Sequence, residues 1–224
     1  MSAESTPRVL TDVTVDPFVR GLLHHPAKPN GKGLVLAHGA GANCQSPLLI
    51  AMAEAFTEAG FTVLRCDLPY RQDRPYGPPG PGDAKRDQAG LKNAVTVLKK
   101  NMANGSQVFL GGHSYGGRQA SMLCAQQPDA APGLLLMSYP LHPPRKPEQL
   151  RTQHFFNLNT PALFVQGTRD PFGSIAEIEQ ALKLIPGKTK LLIEESAGHD
   201  LGFKNAKGRE LPAGILKEFQ SFFA

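Results

Sequence analysis

Long apolar runs are missing from this chain of 224 residues: none approaches the roughly 20 that a membrane-spanning helix needs, so no span is expected. The first stretch, MSAESTPRVLTD, has no basic segment followed by an apolar one, so no secretory signal is expected. Cysteine is scarce. Cys44, Cys66 and Cys124 make an odd count without metal-ligand spacing, which predicts free thiols in a reducing, cytoplasmic compartment. Cys66 and Cys124 lie in apolar segments and are expected in the core, whereas Cys44 sits in a Gly-rich loop that leaves exposure open, with no special role expected for it. Zinc-ligand patterns, RNA-binding signatures and basic heptads are absent too. The net charge of +5 is spread along the chain, and the pair Lys99-Lys100 ends a predicted helix, where it complements the helix dipole. No nucleic-acid partner is expected.

What is present is a globular composition, 41% hydrophobic and 19% charged, at a length that suits one α/β domain over residues 1–224. GLVLAH (33–38), FTVLRCD (61–67), QVFLGGH (107–113), GLLLMSY (133–139), ALFVQGT (162–168) and KLLIEES (190–196) read as strands buried on both faces. PFVRGLLHH (17–25), with residues 9–15 before it, supplies an edge hairpin. Helical patterns alternate with these runs. Ser46-Pro47 opens one by capping and by proline in the first turn. Leu91, Ala94, Val95, Leu98 and Met102 form an apolar stripe. Ser174 and Glu177 form a capping box ahead of Ile175, Ile178, Leu182 and Ile185. Leu211, Ile215, Phe219 and Phe222 mark a closing helix. The alternation predicts an α/β fold: a mostly parallel central sheet with helices on both faces and no large cap.

Chemistry concentrates where strands end. Gly112-His113-Ser114-Tyr115-Gly116 fits G-x-S-x-G between a predicted strand and a predicted helix, which puts a serine hydroxyl on a strained turn above the sheet. A hydroxyl needs a base, and the base needs an orienting acid. Asp170 follows a buried strand. Asp129 belongs at the opposite end of the sheet, and Asp200 directly adjoins His199, a poor geometry for reaching that ring. His199 follows the last strand. The order Ser114, Asp170, His199 is therefore taken as nucleophile, acid and base. LAHGAGAN (36–43) supplies a loop whose Ala40 N–H, with that of Tyr115, is expected to bind an oxyanion. His38 is expected to be packed and to support this loop.

The phrases HGAG, GGHSYGG, GTRDP and AGHD, in this order, resemble the α/β-hydrolase superfamily, and the small, open architecture resembles its dienelactone-hydrolase-like members. That group often uses cysteine as nucleophile, whereas this chain has Ser114. DLPYRQDRPYGPPGP and GGHSYGGRQASMLCAQQPD look closer to a little-characterised group. It contains bacterial hydrolase-like proteins, a testis-expressed protein and a subunit of the nonspecific lethal chromatin complex. The resemblance covers about residues 20–222 and implies the fold and a Ser-His-Asp triad rather than a substrate.

The expected activity is hydrolysis of a small carboxylic ester or thioester through an acyl-enzyme, with no metal or organic cofactor. Acyl transfer by the same residues, or a non-catalytic scaffold on the same fold, are the alternatives. Tyr70, His142, Phe172 and Leu201 are candidates for the pocket wall. The proline-rich stretches 69–83 and 140–147 read as stiff surface loops, or as walls of that pocket. Arg118, a cation in the first turn of a helix, is expected to pair with Asp67 or Asp73, against the alternative of binding an acid group of the substrate.

Overall fold

Each apolar run contributes alternate residues to two different cores, because successive side chains of a strand point to opposite faces. In strand β3 (Lys32–Ala37), Val35 and Ala37 join one core while Leu34 and Leu36 join the other. Such a strand must be covered on both sides, so hydrophobic continuity in sequence becomes a three-layer architecture in space.

The computed structural model describes residues 7–203 and 210–224. The start of the stretch read for a secretory signal, residues 1–6, lies outside them. The strands form an eight-stranded sheet in the order β1-β2-β4-β3-β5-β6-β7-β8. β1 (Arg8–Asp12) and β2 (Val19–His24) are the expected antiparallel hairpin, and β2 runs antiparallel to β4 (Thr62–Cys66). From β4 onward every pairing is parallel, through β3, β5 (Gln107–His113), β6 (Leu134–Met137), β7 (Ala162–Gly167) and β8 (Thr189–Glu194). Parallel pairing brings the carboxyl ends of these strands to one edge, where the site forms.

One core is covered by helices α3 (Asp83–Lys100), α4 (Tyr115–Gln126) and α5 (Ile175–Leu182). The other is covered by α1 (Pro47–Glu58) and α6 (Leu211–Phe222). In the second core Phe56, Phe61, Phe109 and Phe219 pack edge to face at 5.0–5.9 Å between ring centroids. Leu36 is wholly buried between β4 and β5, so Leu36→Ala would cost about 2–5 kcal/mol.

Three local expectations need correction. Ser46 occupies the N-cap of α1, but its side chain makes no capping bond. The entry is set by a backbone turn, Ser46 N–H to Asn43 O, and by Pro47. The capping box at Ser174 and Glu177 does form. β8 is not buried on both faces: it is an edge strand, and Ile193 is 38% exposed. The stretch 69–83 is only partly a surface loop, because it opens with a short helix, α2 (Pro69–Asp73), whose Pro69, Tyr70 and Arg71 are buried. Among the described residues no helix is long and apolar enough to cross a membrane.

Candidate active site

Ser114 stands between the last residue of β5 and the first of α4, with φ 52° and ψ −117°. A non-glycine residue at positive φ is strained, and strain of this kind collects at functional edges. Ser138 and Leu201, also at positive φ, lie at the same edge of the sheet. The bend is tight because backbone approaches backbone: a Cβ at Gly116 would meet the His38 carbonyl oxygen at 2.6 Å. The turn is tied down by Ser114 N–H on Met137 O at 2.8 Å and Gly116 N–H on His38 O at 3.1 Å.

Residues far apart in sequence meet here. His199 Nε2 lies 2.8 Å from Ser114 Oγ. Its Nδ1 lies 3.0 and 2.9 Å from the two carboxylate oxygens of Asp170. Asp170 has a fully buried side chain and also accepts the Phe172 N–H at 2.9 Å. The Phe172 ring lies against the imidazole of His199, with centroids 4.2 Å apart. Asp200 is turned to its own loop, where it accepts the Gly202 N–H. Asp129 sits past the carboxyl end of α4, at the far edge of the sheet. A shallow groove there, lined in part by Lys99, Gln107 and Asp129, is remote from Ser114.

The loop after β3 is held by a set of donors that sequence reading did not find, apart from His38. Burial keeps the proton affinity of His38 low, so the ring is neutral. Its Nε2 accepts the Leu68 N–H at 3.1 Å, which leaves Nδ1 to donate to Gly39 O at 2.9 Å. The Tyr70 hydroxyl reaches Ala40 O at 2.8 Å and Gly39 O at 3.3 Å. Arg71 donates to Ala42 O, Ala40 O, Arg74 O and Gly77 O. The Gly39–Ala40 peptide is trans, so its N–H points opposite to its carbonyl. With the Gly39 carbonyl turned onto His38 and Tyr70, the Ala40 N–H is turned away from them. Gly39 itself is beside the serine: a Cβ there would lie 3.5 Å from Ser114 Cβ and 3.1 Å from His113 Nδ1. Among the described residues, neither the Ala40 nor the Tyr115 N–H donates to a protein acceptor.

Two further groups steady this frame. His113 has its pKa pushed down to about 4 by burial, and its Nε2–H donates to the His199 carbonyl at 2.7 Å. Asp87, with no exposure, accepts the Tyr70 N–H and the Tyr115 hydroxyl, at 3.1 and 2.7 Å. The only sequence signal for Asp87 was its polar identity on the buried side of a helical stripe.

The other candidates fall in different places. Phe172 is beside His199 as described. Tyr70 is buried behind the loop, its hydroxyl committed to backbone. Leu201 is buried in the core under α6. His142 is buried, with Nδ1 on Pro143 O and Nε2 3.5 Å from Glu177. Cys44 is not exposed: all three cysteines are free and buried. Its loop is pulled inward by Asp67, which accepts the Cys44 N–H, and by the buried Arg65, which donates to the Cys44 carbonyl. Arg118 pairs with neither expected carboxylate. Asp67 is taken by Arg20 and Asp73 by Arg86, on the other side of the loop after β4.

The chain matches the family described as alpha/beta hydrolase domain over residues 30–222, and it belongs to that family. Solved structures share its fold over nearly the whole chain. An alpha-beta serine hydrolase homologue from Coxiella burnetii superposes with a TM-score of 0.73 at 15% identity, covering 97% of this chain and 99% of its own. Dienelactone hydrolase from Anabaena variabilis gives 0.73 at 21% identity, covering 98% of each. An α/β serine hydrolase without lid from Xanthomonas campestris gives 0.71 at 15% identity, covering 96% and 95%.

Proposed function

We propose that this protein is a serine hydrolase that cleaves a small carboxylic ester or thioester through an acyl-enzyme. The observation that carries the reading is the unbroken hydrogen-bonded line Ser114 Oγ, His199 Nε2, His199 Nδ1, Asp170. Ser114 Oγ attacks the carbonyl carbon while its proton passes to His199 Nε2. Asp170 holds the ring with Nδ1 protonated and stabilises the imidazolium that forms. The N–H groups of Ala40 and Tyr115 bind the developing oxyanion. Each such donor is worth about 2.7–4 kcal/mol in the transition state. His199 then returns its proton to the leaving group, activates a water by the same nitrogen, and the acid is released.

Several features favour a serine nucleophile over thiol chemistry. Ser114 takes the strained turn, whereas burial pushes the Cys44 and Cys124 thiols up to about 12, far from thiolate at neutral pH. The chain functions as one domain in a cytoplasmic setting, in keeping with its free thiols. Within the superfamily it belongs with the small group that includes the testis-expressed protein and the nonspecific lethal complex subunit, on the strength of its proline-rich and serine-turn phrases.

The test is labelling of the intact protein by a fluorophosphonate, followed by peptide mapping. Modification of Ser114, lost in Ser114→Ala, is the expected result. A folded protein that stays unlabelled overturns the reading. A panel of p-nitrophenyl esters and acyl thioesters then identifies the acyl group.

A further inference from the structure

Arg118 is one turn into α4, and its N–H donates to the carbonyl of Ser114 at 3.0 Å. Residues four apart share a helix face, so the side chain lies on the face of α4 that begins at the serine. That face meets the segment following β6. There Ser121 donates to the Arg118 carbonyl and bonds His154 at 2.8 Å. Tyr139, wholly buried, donates its hydroxyl to the Arg151 carbonyl at 3.0 Å. Arg151 in turn donates its backbone N–H to Leu141 O and its guanidinium to Pro140 O. The same segment reaches the centre of the site, because the His142 N–H donates to Phe172 O and the Phe172 ring covers His199.

Arg118 and Arg151 therefore border the same segment, which reaches the site through His142 and Phe172. The charge of Arg118 is felt by Arg151, by Tyr139 and by His154, whose proton affinity it lowers together with burial. Among the described residues neither arginine has a carboxylate partner. Arg118 Nε is shielded from solvent with no acceptor at all. A shielded guanidinium N–H without an acceptor costs free energy, and two adjacent like charges add to it. The other half-buried and buried arginines of this edge are all satisfied: Arg20 by Asp67, Arg65 by His24 and Cys44 O, Arg71 by four carbonyls. Arg118, whose Nε has no acceptor, is the exception, and it lies one turn from Ser114.

We infer that Arg118 and Arg151 form an oxyanion-binding subsite, and that the ester or thioester taken by this site carries a second, acidic group, carboxylate or phosphate, which seats there. The inference rests on the hydrolase reading for its substrate but not for its binding. Guanidinium forks match both oxyanions in a bidentate manner. Two uncompensated charges suit a dianion, which a phosphate monoester carries at neutral pH.

The experiment has a binding arm and a turnover arm. Inorganic phosphate and glutarate are titrated calorimetrically into the parent, Arg118→Gln and Arg151→Gln, with thermal melts to select folded variants. Binding of either anion by the parent, weakened at least tenfold in both variants, is the expected result. Tighter phosphate assigns a phosphorylated substrate, and tighter glutarate a half-ester of a dicarboxylic acid. In the turnover arm, the kcat/KM ratio of p-nitrophenyl hemiglutarate to p-nitrophenyl butyrate falls at least tenfold in each variant, and Arg118→Lys recovers part of it. Anion binding that depends on both arginines in a protein without esterase activity keeps the subsite and removes the hydrolase reading. An active esterase that binds neither anion, or binds them equally well in both variants, overturns the subsite.

Discussion

The hydroxyl of Tyr70 lies 2.8 Å from the carbonyl oxygen of Ala40 and 3.3 Å from that of Gly39, and by holding the Gly39 carbonyl it turns the Ala40 N–H of the same peptide, a group it never touches, the other way. Arg71, the next residue of α2, donates to the Ala40 oxygen at 3.1 Å and to the Ala42 oxygen at 2.8 Å, which fixes the rest of the loop. A short buried helix in a proline-rich stretch thus acts as a positioning device for the loop after β3. Misplacing a transition-state donor by about 1 Å can cost as much as a hundredfold in rate. Tyr70→Phe should lower kcat about tenfold with a smaller effect on KM, and Arg71→Gln should lower it further. Steady-state kinetics beside fluorophosphonate labelling rates check this. Unchanged kcat in both folded variants would remove the positioning role.

The two acidic candidates near the base separate cleanly. Asp170→Asn should lower turnover about ten-thousandfold, as the wrong imidazole tautomer is then favoured. Asp200→Asn should stay within a few-fold of the parent, because among the described residues its carboxylate accepts the Gly202 N–H and is turned away from the His199 ring. Ester hydrolysis by the two variants decides between them, and the reverse ranking would exchange their roles.

The histidines predict how stability depends on pH. Burial holds His24 and His113 at a pKa of about 4. Their ordinary value in an unfolded chain is near 6.5. Between those limits the unfolded chain binds more protons than the folded one, so stability falls as pH drops from about 6.5 toward 4. Each tenfold difference in proton affinity is worth about 1.4 kcal/mol, so the loss amounts to several kcal/mol. Urea midpoints at pH 7, 6 and 5 should decrease in that order. His24→Gln should flatten the decrease. A midpoint that rises on acidification contradicts the assignment.

Thiol accessibility offers a direct check of the loop after β3. All three cysteines are buried, and burial raises each thiol's pKa. A disulfide reagent such as Ellman's should find almost no reactive thiol in the native protein at pH 8 and three in denaturant. Rapid reaction of one thiol in the native state, abolished by Cys44→Ser, would mean that the loop opens.

Acyl length follows from the architecture. The segment between β6 and β7 is too short for a cap domain, and each buried CH₂ of a substrate would contribute about 0.8 kcal/mol. A site that buries little of a long chain gains little from it. The parent should prefer acyl groups of about two to six carbons. A kcat/KM series with a constant p-nitrophenol leaving group tests this, and a steady rise through twelve or more carbons would require an apolar channel.

Much of this protein is determined by local patterns that survive in one dimension. Continuous apolar runs have to be buried on two faces, so the parallel strands, the order of helices and the edge hairpin were legible. So was the strand-to-helix bend at Ser114, since a serine among glycines between an apolar run and a helical pattern marks a tight turn. Parallel pairing also made the meeting of Asp170 and His199 at one edge legible, because carboxyl ends of parallel strands lie together. What the tertiary structure alone decided is where polar groups find partners. Arg65 sits inside an apolar strand because His24 and the Cys44 carbonyl are there to receive it. Arg71 looks like an ordinary charge in a proline-rich loop, yet it is buried under four carbonyls. Arg118 lost both carboxylates expected for it, since Asp67 and Asp73 had nearer cations on another side of the site. Hydrophobic burial is non-directional and is written in composition and period. A hydrogen bond or ion pair requires particular atoms within about 3 Å, and which atoms come that close is settled only when the chain has folded.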